Sequence, residues 1–373
     1  MYTIKTLNKI SPLGLNRLDA ALFTVDDNAA TPEGILVRSA DMLQMDLPQS
    51  LLAIGRAGAG TNNIPSDRCA EAGIVVFNTP GANANAVKEL ALCALLLSSR
   101  KIYDGITWCQ GLTDGETTVD KQVEKGKSAF VGPELLGKTL GVVGLGAIGR
   151  LVAESARALG MHIVGYDPFV KELEGVELAD LDTLYAKSDY ITLHVPQTGE
   201  TKGMINAQSI GKMKDGVRIL NLARGTLVQD ADILAALETG KVACYVTDFP
   251  NAGLLGKPGV VTIPHLGAST PEAEDNCAIM ACDEVADYLV NGNIKNSVNL
   301  PNCTLARQGG TRLCVLSRGV DSAKLAEIVG AVSATVSATR GEYTYTIFDG
   351  VDGISAAVET VAMLPGVLRV RAL

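Results

Sequence analysis

The stretch "TLGVVGLGAIG" (residues 139–149) runs from an apolar strand pattern into three glycines, Gly144, Gly146 and Gly149, in G-x-G-x-x-G spacing. The residues that follow, "AIGRLVAESARALG" (147–160), continue with helical periodicity. Alone the glycine pattern is weak, but between a strand and a helix it has a mechanism. The first glycine permits a tight turn, the second lets a pyrophosphate approach the backbone, and the third brings helix against strand. Unpaired N–H groups at the start of the helix then face the phosphates. The next strand pattern, "HIVGYDPF" (162–169), ends in Asp167. A carboxylate there accepts hydrogen bonds from ribose hydroxyls and repels a 2′-phosphate, so NAD is expected over NADP. A purely structural glycine-rich turn is the alternative reading.

Outward from this turn, short apolar runs alternate with helical patterns over about three hundred residues, the signature of parallel βαβ architecture. Upstream, 34–39, 51–56 and 73–78 read as strands. The segment "NANAVKELALCALLLSSRK" (83–101) reads as a helix capped by Asn83 or Asn85 and buried on most sides. A stretch with Trp, Gly and charges, 103–138, breaks the pattern. Downstream strands are expected at 139–143, 162–166, 189–193, 217–221, 242–247 and 259–263, with a long helix over 271–292. The polar run 295–311 reads as a linker, and 312–373 follows a βαββαβ order, that of a ferredoxin-like module. The expected class is α/β, with two doubly wound parallel sheets and a small C-terminal module.

Composition narrows the partners. Lys and Arg total 32 against 41 Asp and Glu, a net charge of −9 with no long run of either sign, which argues against nucleic-acid and membrane-surface partners. The eight cysteines contain no CxxC pair and sit mostly in apolar segments, reading as small buried hydrophobes rather than a disulfide frame or metal site. No signal-peptide pattern opens the sequence and no stretch suits a membrane span, so a cytoplasmic protein is expected.

Ligand groups in doubly wound sheets come from loops after the carboxyl ends of strands. "ILNLARGTLV" (219–228) delivers Arg224, "VACYVTDFP" (242–250) delivers Asp248, and "VVTIPHLGAS" (260–269) delivers His265. An Arg holding a carboxylate and polarising a carbonyl, with a His to move a proton, suits hydride transfer on a 2-hydroxy acid. A lone His after an apolar strand is ordinarily structural, and no carboxylate lies between Phe249 and His265 to orient it. His194 reads as a cofactor-side structural residue and His162 as surface.

With these residues in place, the chain resembles the D-2-hydroxyacid dehydrogenase family, in particular its D-3-phosphoglycerate dehydrogenase branch. The resemblance rests on "GRAGAGTNNI" (55–64), "VFNTPGANANAVKELA" (76–91), "LLGKTLGVVGLGAIG" (135–149), "NLARG" (221–225) and "PHLGAST" (264–270). It implies a substrate domain (1–98, completed by 270–300), a Rossmann NAD domain (99–269), a linker (301–311) and an ACT-like regulatory tail (312–373), with catalysis in the cleft between the first two. The substrate domain would be flavodoxin-like. It implies Arg224 as the substrate contact and His265 as the acid/base. It also implies NAD contacts at Thr79, Gly144, Gly146, Ala147, Ile148, Gly149, Asp167, Val195, Leu222, Ala223, Arg224, Asp248, His265 and Gly267, with Asp248 on the nicotinamide amide. Backbone N–H groups of Ala57, Gly58 and Ala59 would take a substrate carboxylate. Arg38 and Arg56 are phosphate clamps by charge and strand-end position, with a solvated or structural role as the alternative. No metal is implied, and a homodimer or larger assembly is.

The implied activity is NAD-dependent oxidation of 3-phospho-D-glycerate to 3-phosphohydroxypyruvate, the entry to serine synthesis. The alternatives are reduction of glyoxylate, hydroxypyruvate or another 2-keto acid, and a NAD-sensing interaction protein. Two departures stand out. The Glu that in this family orients the catalytic His falls at Gly253, and Lys88 stands near a helix start where the family has a small residue. Lys88 is therefore a candidate for substrate binding or proton donation, with an ordinary ion pair or snorkelling Lys as the alternative. The tail loop "LSRGVDSAKL" (316–325) lacks the Asn pair and Pro of serine-sensing ACT domains, which argues against serine as effector.

Overall fold

Five parallel strands open the chain: β1 (Tyr2–Leu7), β2 (Phe23–Val25), β3 (Gly34–Val37), β4 (Ala53–Arg56) and β5 (Val75–Phe77), with short helices α1 (Pro12–Leu15) and α2 (Ser66–Glu71). In the computed structural model, which describes residues 1–373, they pair in the order β2-β1-β3-β4-β5. The order reverses at β1, as in a doubly wound sheet. The expected strands at 34–39, 51–56 and 73–78 are β3 to β5. β1 and β2 gave no apolar run because only Ile4 and Phe23 of them are fully buried. One face of the sheet packs Ile35, Val37, Ile54 and Val76 on Met42, Leu51, Ile64 and Cys69.

Residues 84–270 form a separate compact unit. It begins with α3 (Ala84–Arg100), α4 (Ile102–Gln110) and α5 (Val119–Gly126). Then come β6 (Thr139–Val143), α6 (Ala147–Ala158), β7 (His162–Tyr166), β8 (Glu177–Leu178), α7 (Leu181–Lys187), β9 (Tyr190–Leu193), α8 (Ala207–Gly211), β10 (Val217–Asn221), α9 (Asp230–Glu238), β11 (Val242–Thr247) and β12 (Val260–Thr262). Its seven strands are parallel in the order β12-β11-β10-β9-β6-β7-β8. Every strand expected from 139 onward is present. The unexpected β8 is two residues long and lies at the edge.

Helix α3 corrects one expectation. It belongs to this unit, so the division falls at Asn83/Ala84 and not at 98/99. The reason is packing: Ala91, Ala94 and Leu95 share a core with Leu140, Val142, Val152, Ala156, Leu220 and Val246. As expected, α3 is buried on most sides, with one stripe left uncovered. Asn85, Glu89, Cys93, Leu96 and Arg100 form an exposed stripe along it. The excursion that follows, α4, α5 and the turn 127–130, buries no residue, although Trp108 stacks on Phe130 at 5.2 Å.

The chain then completes the first unit with α10 (Pro271–Asn291), β13 (Arg312–Arg318), α11 (Ser322–Val329), β14 (Ala334–Arg340), β15 (Tyr343–Asp349), α12 (Ile354–Ala362) and β16 (Val367–Ala372). α10 lays Ala278, Ala281, Val285 and Tyr288 against the other face of the β1–β5 sheet. The tail forms an antiparallel sheet ordered β14-β15-β13-β16. Leu313, Val315 and Phe348 face α11 and α12, whereas Cys314, Leu316, Tyr345 and Ile347 join the core around α10.

The carbonyls at the end of α10, which have no partner within the helix, meet cations and a hydroxyl from this sheet. Arg371 donates to Tyr288 O (2.9 Å) and Leu289 O (2.6 Å), Arg312 to Asn291 O (2.7 Å), and the Tyr345 hydroxyl to Gly292 O (2.7 Å).

The linker expected at 301–311 is in part built into this unit. Ile294 and Cys303 exchange backbone hydrogen bonds, and Leu300 and Cys303 are buried. The polar residues that suggested a linker are fixtures: Asn299 accepts from Val76 N–H (2.9 Å) and donates to Ile74 O (2.9 Å), and Asn302 accepts from Ser297 N–H (2.9 Å). Six of the eight cysteines are buried; Cys93 and Cys109 are exposed. No helix is long and apolar enough to cross a membrane.

Candidate active site

The glycine turn between β6 and α6 has the shape a dinucleotide needs. Gly144 adopts φ +93°, and a Cβ there would stand 2.6 Å from His194 O. A Cβ on Gly149 would overlap the Gly144 carbonyl oxygen, whereas one on Gly146 would meet nothing within 4 Å. So two glycines are required by the protein's own backbone, and the middle one keeps open the space where a pyrophosphate would lie. The N–H groups of Ala147, Ile148 and Gly149 precede the first bond of α6, Arg150 N–H to Gly146 O (3.1 Å).

Asp167, after β7, accepts from Leu145 N–H (2.9 Å) in that turn and from Phe169 N–H (2.9 Å). Burial by itself would push its carboxyl up, but these N–H groups, with Val170 N–H and the Arg150 charge, hold it below the ordinary carboxylate range. An ionised, half-buried acceptor at this place fits ribose hydroxyls.

His194 follows β9 and bonds Thr192 Oγ1 through Nε2 at 2.9 Å. Burial pushes its imidazole down to about 4, so it is neutral near pH 7 and unsuited to donate a proton. It backs the glycine turn, with Val195 beside it. His162 lies exposed at the start of β7.

Three strand ends meet next. Asn221, fully buried at the end of β10, donates to Arg224 O (2.9 Å) and accepts from Ala223 N–H (3.3 Å), shaping the turn Leu222-Ala223-Arg224 and leaving Arg224 exposed. Gly225 packs on Phe249, with its Cβ position 3.1 Å from Phe249 Cβ. Phe249 in turn lies against His265, ring centroids 4.9 Å apart and planes tilted by 52°. Asn221 and Phe249 were not singled out from sequence. Their only signal is position, one before the "LARG" turn and one after Asp248.

Asp248 is 1% exposed, and neither carboxylate oxygen has a hydrogen-bond partner. Burial pushes its carboxyl up, and the His265 and Arg224 charges pull it back. A Cβ on Gly267 would lie 3.8 Å from Asp248 Oδ2 and 3.3 Å from Val87 of α3. Lys88, next to Val87, has its Nζ 3.8 Å from Glu89 Oε1, a loose pair, with its side chain 19% exposed. At Gly253 stands a turn in which Asn251 Oδ1 accepts from Gly253 N–H (2.9 Å), so no carboxylate is offered there.

The remaining candidates lie in the first unit. Arg38, after β3, is held by Glu274 of α10 at 2.5 Å. The guanidinium of Arg56 lies over Gly58, whose φ is +144°. Ala57 N–H donates to Val37 O (2.8 Å) at the end of β3 and Gly58 N–H to Arg56 O (2.8 Å). Ala59 is exposed, and Thr79, fully buried after β5, donates its N–H to Gly58 O (3.2 Å).

Residues 104–267 match the D-isomer specific 2-hydroxyacid dehydrogenase NAD binding domain. The hydroxypyruvate reductase of Thermotoga maritima is 41% identical over 265 residues, 67% of this chain and 83% of that protein. The chain belongs to the D-isomer specific 2-hydroxyacid dehydrogenase family. Within that family, the D-3-phosphoglycerate dehydrogenase of Archaeoglobus fulgidus is 40% identical over 287 residues, 72% of this chain and 52% of that protein. The NAD+-bound 3-phosphoglycerate dehydrogenase of Entamoeba histolytica superposes with a TM-score of 0.62 at 27% identity, over 80% of this chain and 98% of that one. The chain spans 52–63% of the length of the curated D-3-phosphoglycerate dehydrogenases from Archaeoglobus, Synechocystis and Bacillus subtilis. The matched domain is an NAD binding one, and the open space at Gly146, the ionised Asp167 and the buried Asp248 without a hydrogen bond fit NAD.

Proposed function

We propose that this dehydrogenase oxidises 3-phospho-D-glycerate to 3-phosphohydroxypyruvate, the step that opens serine synthesis. The observation that carries the reading is the convergence of Arg224, Asp248 and His265 around Phe249 at three strand ends of the NAD-binding sheet. The likeness to D-3-phosphoglycerate dehydrogenases supports the substrate. NAD, held at the Gly146 turn and by Asp167, would supply the hydride acceptor for C2. His265 accepts the hydroxyl proton, and Arg224 stabilises the negative charge growing on that oxygen. Arg38, which pairs with Glu274, and Arg56 are the phosphate contacts we assign to the first unit. Lys88, loosely held by Glu89, is offered as an additional contact.

A second reading, reduction of hydroxypyruvate or a related 2-keto acid, has its support in the Thermotoga relative. We read the tail as an ACT-like, ferredoxin-like regulatory module on its βαββαβ order and β14-β15-β13-β16 sheet. A second copy of this chain is the proposed cover for the α4–α5 excursion.

The test is steady-state NADH formation with 3-phospho-D-glycerate, D-glycerate and D-lactate, for the wild type and His265→Ala. Turnover of the phosphorylated acid alone, reduced about 10²–10⁴-fold in the variant, is expected. Turnover of D-glycerate in preference would move the assignment to the second reading. NAD binding without turnover of any acid would leave a NAD-sensing protein.

A further inference from the structure

We propose that Phe249 is a positioning residue for proton transfer: its ring, packed on the turn that carries Arg224, holds the His265 imidazole in place. The inference rests on His265 being the acid/base of the proposed reaction. An imidazole that moves a proton must be aimed at the reacting hydroxyl, a task that ordinarily falls to a carboxylate bonded to its other nitrogen. Residues 249–264 contain no Asp or Glu, and the turn at Gly253 is closed by Asn251. His265 itself is exposed, on a loop outside any helix or strand. The contact its ring makes is with Phe249, centroids 4.9 Å apart and planes tilted by 52°. That separation lies in the range aromatic pairs prefer.

Phe249 can hold another ring because it is itself held from two directions. Its N–H donates to Thr247 Oγ1 (3.2 Å), and Thr247 is fully buried at the end of β11. Its side chain packs on Gly225, where a Cβ would stand 3.1 Å from Phe249 Cβ and 3.4 Å from Cγ, so the absence of a side chain at 225 is what admits the ring this closely. Gly225 follows Arg224 in a turn fixed by the buried Asn221, which donates to Arg224 O (2.9 Å) and accepts from Ala223 N–H (3.3 Å). One ring therefore reaches from the Arg224 turn to the imidazole. It sets the spacing between the group that would stabilise the reacting oxygen and the group that would take its proton. In this role Phe249 touches no reacting atom. Its contribution is orientation, which is expressed in the chemical step rather than in binding.

The test compares Phe249→Leu, which stays apolar but loses the ring, with Phe249→Tyr, which keeps it. The ring current of Phe249 displaces the His265 resonances, and with three histidines the imidazoles can be followed one by one by NMR in the full-length chain without cofactor or substrate. Phe249→Leu should move the His265 resonances and leave those of His162 in place, whereas Phe249→Tyr should keep both near wild type. In steady state, Phe249→Leu should lower kcat about 10–100-fold, with the KM for 3-phospho-D-glycerate and the affinity for NADH within about twofold of wild type, and Phe249→Tyr should restore kcat. Unmoved His265 resonances in a folded Phe249→Leu would overturn the inference, and so would a wild-type kcat. Losses spread alike over kcat, KM and NADH affinity would mark a merely structural side chain and overturn it too. If Phe249→Leu does not fold, Gly225→Ala, whose methyl must displace the ring, is read in the same two ways. The resonances need no turnover, so the ring contact stands or falls separately from the choice of substrate acid.

Discussion

Glu284 offers a quantitative test of the packing around α10. It is 8% exposed, Oε1 accepts from Asn296 Nδ2 at 2.6 Å, and Oε2 has no partner. Burial pushes its carboxyl up to about 7 from an ordinary 4.5, against the pull of Asn296 and Lys295 and with a small push from Asp283. The fold therefore prefers the protonated acid. Below pH 4.5 both folded and unfolded chains carry the proton, and Glu284 has no cost. Between pH 4.5 and 7 only the folded chain holds it, so stability falls as pH rises, and above pH 7 the full cost is present. The gap of about 2.5 units corresponds to a ceiling of about 3 kcal/mol. Glu284→Gln keeps an oxygen acceptor for Asn296 and removes the charge. Guanidinium unfolding of both proteins at pH 4.5 and pH 8 gives the comparison. Similar midpoints at pH 4.5 and a variant more stable by about 2–3 kcal/mol at pH 8 are expected. A stability difference that does not change between the two pH values would refute the account, since it would place the carboxylate in contact with water.

Three further outcomes follow from packing. Arg312 and Asp349 form a fully buried ion pair at 2.8 Å, so Arg312→Met should cost about 3–5 kcal/mol and be seen as a lowered Tm. Gly146→Val should keep the wild-type Tm yet lose NADH binding, followed by fluorescence, because its side chain would fill open space; Gly149→Val should lower the Tm as well, because its side chain would collide with the Gly144 carbonyl. The excursion 101–131 exposes Ile102, Tyr103 and Ile106 by 42%, 53% and 52%, so sedimentation equilibrium should return at least twice the chain mass, and Ile106→Glu should lower it toward 38.9 kDa.

The sheet of the NAD-binding unit could be read from the sequence almost strand by strand, because its strands are apolar runs separated by turns and its glycines sit where the backbone demands them. Arg224, Asp248 and His265 were legible for the same reason: each stands immediately after such a run. β1 was not, since a strand with one fully buried residue carries no apolar run. The polar stretch 295–311 misled because asparagines that bind backbone groups have the composition of a linker. α3 misled only in its unit, because an apolar helix gives no sign of which core its buried side joins. Only the tertiary structure decided that Ala57 N–H bonds Val37 O and Gly58 N–H bonds Arg56 O, that Arg38 is held by Glu274, and that Phe249 lies between Arg224's turn and His265. Above all it decided that Asp248 is buried with nothing to bond. Periodicity and turn chemistry are local and survive in the sequence, whereas the partner of a buried charge is chosen by residues far apart in the chain.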